Sequence, residues 1–213
     1  MRMHGFFRSG TSHRLRIALN LKGVDTEYVA VDLQKDENLG EAFKAINPQG
    51  LVPALEVQDK VLIQSPAILE WLEETYPTPA LLPQDPFARA HVRALAAMIG
   101  CDTHPINNRR ILMYLKNELG ASQEASDAWC RHWIDAAFEA IEMLLGNDSG
   151  REPGFCFGNT PSMADVYLIP QVDSGKRFGV DLSRYPRIMA VYDHCMTLDA
   201  FRRAAPMAQP DAR

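Results

Sequence analysis

The sequence predicts an α/β unit over residues 1–76 and an all-helical unit over 87–213, joined by a Pro-rich stretch at 77–86. Three observations carry this. Short apolar runs alternate with amphipathic ones through the first third of the chain, in the order β-α-β-α-β-β-α. Pro77, Pro79, Pro83 and Pro86 then follow, a spacing that no helix can cross. Beyond them the helical period runs almost to the end.

Arg2 to Phe7 reads as a strand. Thr11 to Lys22 is amphipathic, with Leu15, Ala18, Leu19 and Leu21 apolar and Gly23 as its stop. Tyr28 to Leu33 alternates as a strand. Glu41 to Ile46 suits a short helix, and Asn47-Pro48-Gln49-Gly50 is turn chemistry. Leu51 to Val57 and Lys60 to Ile63 form a hairpin through Gln58-Asp59. Ser65-Pro66 opens a helix through Tyr76, with Ser at the N-cap and Pro at the first helical position. Helices are then expected over Phe87–Gly100, Pro105–Leu119, Ser122–Leu145, Ser162–Phe178 and Ile188–Ala204. Ser162-x-x-Asp165 has the form of a capping box.

Composition narrows the function classes. Hydrophobic residues make up 46% of the 213 and charged residues 23%, with Pro and Gly scattered, so disordered and low-complexity readings fall away. A net charge of −5 lacks the basic footprint of a nucleic-acid protein. No stretch approaches the roughly 20 apolar residues of a membrane span. Met1 to Gly10 lacks the apolar run of a secretory signal, so a soluble cytoplasmic protein is expected. Cys101, Cys130, Cys156 and Cys195 lie far apart, with no C-x-x-C pair and no metal-ligand spacing. Free thiols and no metal are expected, and the first 100 residues hold no cysteine.

Two places suit chemistry. In Phe6-Phe7-Arg8-Ser9-Gly10-Thr11 a strand runs through a polar turn into a helix, so hydroxyls and backbone N–H groups converge on a helix N-terminus. Such an end favours anions and lowers the pKa of a thiol held there. Alternatively, Ser9 or Thr11 merely caps the helix, worth about 1 kcal/mol, and Arg8 is a solvated turn cation. The second place is Val52-Pro53 with Gln64-Ser65. A cis X-Pro bond, found in such turns, would direct the Val52 N–H and C=O outward to pair with an extended peptide. Ser65 would offer a second anion pocket at a helix start. A turn proline and a structural cap are the alternatives.

The run Ser9-Gly10-Thr11-Ser12-His13-Arg14-Leu15-Arg16-Ile17-Ala18-Leu19 resembles the signature of zeta-class glutathione transferases. Asn47-Pro48 through Val52-Pro53, then Gln64-Ser65-x-Ala67-Ile68-x-Glu70-x-Leu72-Glu73-Glu74, is similar to that family's glutathione region. Gly158-Asn159-Thr160-Pro161-Ser162-Met163-Ala164-Asp165 resembles its helix-capping segment. Arg8 to Arg14 together with His104-Pro105-Ile106-Asn107-Asn108-Arg109-Arg110 looks like the bacterial maleylpyruvate isomerase branch of the family.

The resemblance implies a thioredoxin-like domain followed by a helical-bundle domain, a homodimer, and glutathione as catalyst. It implies cis–trans isomerisation of a small dicarboxylate keto-acid, maleylpyruvate or maleylacetoacetate, in aromatic-compound catabolism. Ser9 and Thr11 would be catalytic. Ser9, Gly10, Thr11, Val52, Gln64, Ser65, His104, Asn108, Arg109 and Arg110 would hold glutathione, and Arg8 and Arg177 the substrate carboxylates. Arginine suits that task because its planar fork pairs with carboxylates. Arg177 could instead favour a helix C-terminus. His104 and Asn108, four apart, would share a helix face bent at Pro105. Arg109 and Arg110 cannot both aim at one point from a helix.

The family turn usually reads Ser-Ser-Cys or Ser-x-Cys, whereas Thr11 stands at the cysteine's place. Glutaredoxins, dithiol reductases and cysteine-type transferases need a thiol in that turn and are disfavoured. No Tyr precedes Tyr28, which disfavours classes that use an N-terminal tyrosine. A general transferase would want an apolar second pocket, against which Arg8, Arg177 and Arg109-Arg110 argue. A non-catalytic binding protein would lack a working glutathione site, and Ser9, Val52-Pro53 and Gln64-Ser65 argue against that.

Overall fold

The computed structural model describes residues 1–146 and 154–213, which fall into two compact units. The first comprises Met1–Ala80 together with Met196–Arg213, and the second Leu81–Cys195. The division differs from a single cut in the Pro-rich stretch, because the end of the chain completes the α/β unit.

Four strands, β1 (Arg2–Gly5), β2 (Glu27–Ala30), β3 (Ala54–Val57) and β4 (Lys60–Ile63), form a sheet in the order β2-β1-β3-β4. The β1–β2 pair is parallel and is crossed over by α1 (Gly10–Lys22). The β1–β3 and β3–β4 pairs are antiparallel. Short helix α2 (Glu41–Ile46) precedes β3, and α3 (Ser65–Thr75) follows β4. β1 stops before the end of the expected run Arg2–Phe7, and β3 begins after the start of the expected run Leu51–Val57, because Phe6, Phe7 and Val52 leave the sheet to build a cluster with Val31, Phe43 and Ala54. That cluster seats the turns on either side of it. The Val52–Pro53 and Thr78–Pro79 peptides are cis.

Charge is buried inside this unit. The Lys22 ammonium contacts Glu73 Oε2 and the Pro79 carbonyl, both at 2.6 Å, tying α1 to α3 and to the start of the Pro-rich stretch. A buried pair of this kind is costly to break from one side only.

The helical unit contains α4 (Pro86–Ala97), α5 (Arg109–Asn117), α6 (Gln123–Gly146), α7 (Met163–Phe178) and α8 (Pro186–Cys195). The Phe87–Gly100 expectation is corrected: α4 gives way to a π-helical segment over Met98–Thr103. The expected helix from Pro105 is also corrected, since regular helix starts only at Arg109, where the Asn108 side chain accepts the Arg110 N–H at 3.1 Å. The capping segment behaves as expected. The buried Asp165 carboxylate accepts the Ser162 N–H, the Ser162 hydroxyl and the Cys156 N–H, each at 2.7 Å. Burial still pushes its pKa up. Glu142 plays the same part for α8, accepting the Arg187 and Ile188 N–H groups at 2.9 Å.

The single helix expected over Ile188–Ala204 is two, α8 and α9 (Asp199–Ala204), broken where the chain returns to the α/β unit. There α9 lies along α1: Asn20 Nδ2 donates to the Ala200 carbonyl and Arg16 Nε to the Ala204 carbonyl, both at 2.8 Å.

Candidate active site

Ser9 occupies the N-cap of α1 with extended backbone (φ −69°, ψ 119°), and its Oγ accepts the Ser12 N–H at 3.2 Å. The cap reading is therefore correct, but it uses only the oxygen's lone pair. The hydroxyl hydrogen remains, and the surrounding bonds fix where it goes. Thr11 Oγ1 donates to the Val52 carbonyl at 2.9 Å, which consumes the only hydrogen Thr11 has. The 2.9 Å contact between Ser9 Oγ and Thr11 Oγ1 must then run from Ser9 to Thr11. A directed chain results: Ser9 hydroxyl, Thr11 hydroxyl, Val52 carbonyl. Ser9 can turn its hydrogen to an incoming anion at the expense of one bond. Thr11 would have to release Val52 first.

The same contact revises the expectation for Val52. One lone pair of its carbonyl is taken by Thr11, so peptide pairing there falls to the N–H and the remaining lone pair.

The second helix end is built differently. Gln64, at φ 68° and ψ 110°, precedes α3 and its side chain makes no capping bond. Its amide instead donates to Gln49 Oε1. Ser65 is therefore corrected from N-cap to first helical residue, with Pro66 after it. A non-glycine residue at such a φ costs on the order of 1–3 kcal/mol and gathers where ligands are clamped. The buried Ser65 hydroxyl accepts from Arg14 Nη1 at 3.5 Å. Arg14 is 2% exposed, and it stands one turn after Thr11 on α1. One face of α1 thus ties together the Ser9 turn, Val52 and Ser65. Sequence reading missed Arg14, for nothing marks a charge between Leu15 and His13 as buried.

His13, wholly enclosed, is held well below its usual pKa, by burial first and by the Arg16 charge second. Burial lowers Arg16 to about 10, still cationic at neutral pH, with Tyr28 and Asp211 opposing the shift. Arg8 is exposed and lies 5.3 Å over the Phe7 ring, beside the Ser9 hydroxyl in sequence.

Residues 8–75 match the family model for the glutathione S-transferase N-terminal domain. Over 212 residues the chain is 63% identical to a maleylpyruvate isomerase of a Ralstonia species, with 100% of each covered. A holo structure of maleylpyruvate isomerase, described as a bacterial glutathione S-transferase in the zeta class, is similar at TM-score 0.98 and 63% identity over 100% of both chains. The chain belongs to the zeta-class glutathione transferases. A maleylacetoacetate isomerase from Methylobacterium extorquens AM1, solved with malonate and glutathione, is 40% identical at TM-score 0.96, again over 100% of each chain.

In this zeta-class transferase the remaining expected residues lie in the helical unit. His104 closes the π-helical segment, its N–H donating to the Ile99 carbonyl at 2.8 Å. Because residues 104–108 are not helical, His104 and Asn108 do not share a helix face, contrary to expectation. Arg109 and Arg110 are exposed and open α5, so two cations stand at the positive end of a helix dipole. Arg177 lies in the last turn of α7, with its guanidinium 4.6 Å over the Phe178 ring. There it also suits the helix C-terminus.

Proposed function

We propose that this protein interconverts the cis and trans forms of a maleyl keto-acid with glutathione, and that maleylpyruvate is its physiological substrate. The observation that carries the reading is the directed hydroxyl chain from Ser9 to Val52, in a turn that offers an anion a hydrogen bond but contains no cysteine. The nucleophilic sulfur must come from outside. The 63% identity with a maleylpyruvate isomerase supports the choice of substrate.

The residues fit glutathione in kind. Ser9, with Gly10 and Thr11 beside it, suits the sulfur; Val52 suits the peptide; Gln64 and Ser65 at the start of α3 suit a carboxylate. Bound glutathione supplies a thiolate whose reversible addition to the alkene leaves the central carbon–carbon bond single and free to rotate. Ser9 donates its hydroxyl hydrogen to the sulfur and so favours the ionised form. Thr11 holds Ser9 and Val52 in register. Arg8, one residue before Ser9, takes a substrate carboxylate through its fork. On the family resemblance, Arg177 is the helical unit's candidate for a second substrate carboxylate, and His104, Asn108, Arg109 and Arg110 are its candidates for holding glutathione.

A homodimer in the cytoplasm is part of the same proposal. All four cysteines are free, as a reducing compartment requires, and among the described residues no helix is long and apolar enough to cross a membrane. Light scattering that gave only a 23.9 kDa species would reject the dimer.

The deciding experiment follows each cis keto-acid with and without free glutathione. Turnover is expected only with glutathione, with no net consumption of it, and with the larger kcat/KM on maleylpyruvate. Equal rates in glutathione-free enzyme, or stoichiometric loss of the thiol, would defeat the reading.

A further inference from the structure

The end of the chain returns to the turn that carries Ser9. Asp211 Oδ2 accepts the Phe7 N–H at 3.0 Å and the Tyr28 hydroxyl at 3.3 Å. Ala212 packs against the cluster containing Phe6, Phe7 and Val52. Arg213 pairs with Asp32 beyond β2. Three successive residues of the tail therefore make three different kinds of contact on the strand-to-helix turn and its surroundings.

The backbone of that turn can be accounted for group by group. The Phe6 N–H donates to Ser12 Oγ at 3.3 Å, and the Phe6 carbonyl accepts the Ser9 N–H at 3.0 Å. The Phe7 carbonyl accepts from Arg16 Nη2 at 3.0 Å. These partners all come from the turn itself or from α1. The Phe7 N–H is the exception, for its acceptor lies 204 residues away in the sequence. Phe7 is 1% exposed, so water cannot readily stand in for the missing acceptor. Gly5, just before the turn, leaves the space into which the Tyr28 ring and Ser12 press: a Cβ there would lie 3.0 Å from the ring.

We infer that Asp211 is a positioning residue, which fixes the Phe6–Ser9 turn from behind and so sets the direction in which Ser9 presents its hydroxyl to the glutathione sulfur. The inference rests on the role given to Ser9 above. A hydrogen bond to sulfur weakens steeply when misdirected, so a turn free to rock at Phe7 is a weaker donor site even with Ser9 in place. Asp211 touches no reacting atom and acts only through the turn.

Charge and geometry must be separated in the test, because Asp211 also faces Arg16 and Tyr28. Asp211→Asn removes the charge and keeps an acceptor; Asp211→Ala removes both. Both full-length variants are read by amide hydrogen exchange over residues 6–12 without ligand, by ultraviolet titration of the bound glutathione thiol, and by kcat. The Ala variant is expected to exchange faster than the Asn variant. Its bound thiol pKa should lie higher by about half a unit, and its kcat should be lower by about fivefold. Identical behaviour of the two in all three readouts overturns the inference. Should the Ala variant not fold, Tyr28→Phe, which removes the second donor that holds the Asp211 carboxylate against the Phe7 N–H, carries the test through the same exchange and titration. An unchanged Tyr28→Phe variant overturns it equally. Failure of the functional reading shows elsewhere, in wild-type protein that neither depresses the thiol pKa nor needs glutathione.

Discussion

Two helix ends in the α/β unit, at Ser9 and at Gln64-Ser65, are built to opposite plans. The α1 end is closed by its own hydroxyl, which accepts the Ser12 N–H and keeps one hydrogen aimed by the Thr11–Val52 chain. The α3 end has no side-chain cap, and Gln64 turns the backbone at positive φ to leave it that way. A single directed hydrogen suits an anion whose charge sits on one atom, such as a thiolate. A fan of helix-start N–H groups suits a carboxylate, which spreads its charge over two oxygens. The difference teaches that a helix dipole alone specifies little. On the proposed assignment, the anion each end takes follows from whether the end is capped and from what holds the cap.

The largest expected effect breaks the α1 side of the comparison. Ser9→Ala removes a donor to a charged sulfur, worth about 1.5–3 kcal/mol, or a loss in kcat from roughly tenfold to somewhat over a hundredfold. The bound thiol pKa should rise with it. A loss confined to melting temperature, with kcat and thiol pKa intact, would reduce Ser9 to a cap.

Acid separates the same two ends through stability. His13 lies in the first turn of α1 and is kept neutral by burial and by Arg16, whereas the first turn of α3 holds no acid or base. The unfolded chain protonates His13 near its ordinary value of 6.5, whereas the folded chain protonates it only at lower pH. Its contribution is therefore undiminished above that value and is lost as pH falls below it. Stability should therefore fall as pH is lowered from 7 to 5. Denaturant unfolding across that range should be visibly flatter for His13→Asn than for wild type, and equal slopes would remove His13 as the cause.

A smaller change addresses the α3 end. Ser65→Ala takes away the hydroxyl that meets Arg14 and flanks the open helix start. Glutathione should bind more weakly by about 1 kcal/mol, near fivefold in Kd, with the bound thiol pKa unmoved. A shifted thiol pKa with unchanged Kd would mean that the two ends do not divide sulfur and carboxylate between them.

What could be read ahead of the structure follows from the range of the contacts involved. Ser9 was legible as a cap because the signal is local: a serine before an apolar helix. The Ser65 end was misplaced by one residue because the positive φ falls on Gln64, and glutamine gives no hint of it. Residues 104–108 were drawn into a helix because their spacing permits one, while the Asn108 cap restarts the backbone at Arg109. Asp211, Arg14 and Arg16 were invisible because their partners lie 204, 51 and 188 residues away. The order of strands and helices was legible because hydrophobic period is local, and the return of the tail was not, because nothing in Asp199–Arg213 marks it as part of the first unit.

Thr11 gives the subtlest test, since it separates holding from donating on the α1 side alone. Its hydroxyl accepts from Ser9 and donates to Val52, and the threonine methyl takes part in neither bond. Thr11→Ser therefore keeps both bonds and should stay within about twofold of wild type in kcat. Thr11→Val keeps the shape and loses both, so the Ser9 hydroxyl is no longer oriented and the Val52 carbonyl loses a donor. The expected cost is about 1 kcal/mol, near fivefold in kcat, with a smaller rise in the thiol pKa than Ser9→Ala produces. If Thr11→Val matched Ser9→Ala in thiol pKa, Thr11 would itself be the sulfur's donor and the direction of the chain would have to be reversed. If Thr11→Val were silent while Ser9→Ala was not, Ser9 would be oriented by its cap to Ser12 alone. Between those outcomes, a graded series from Ser9→Ala through Thr11→Val to Thr11→Ser is what a hydroxyl aimed by its neighbour requires.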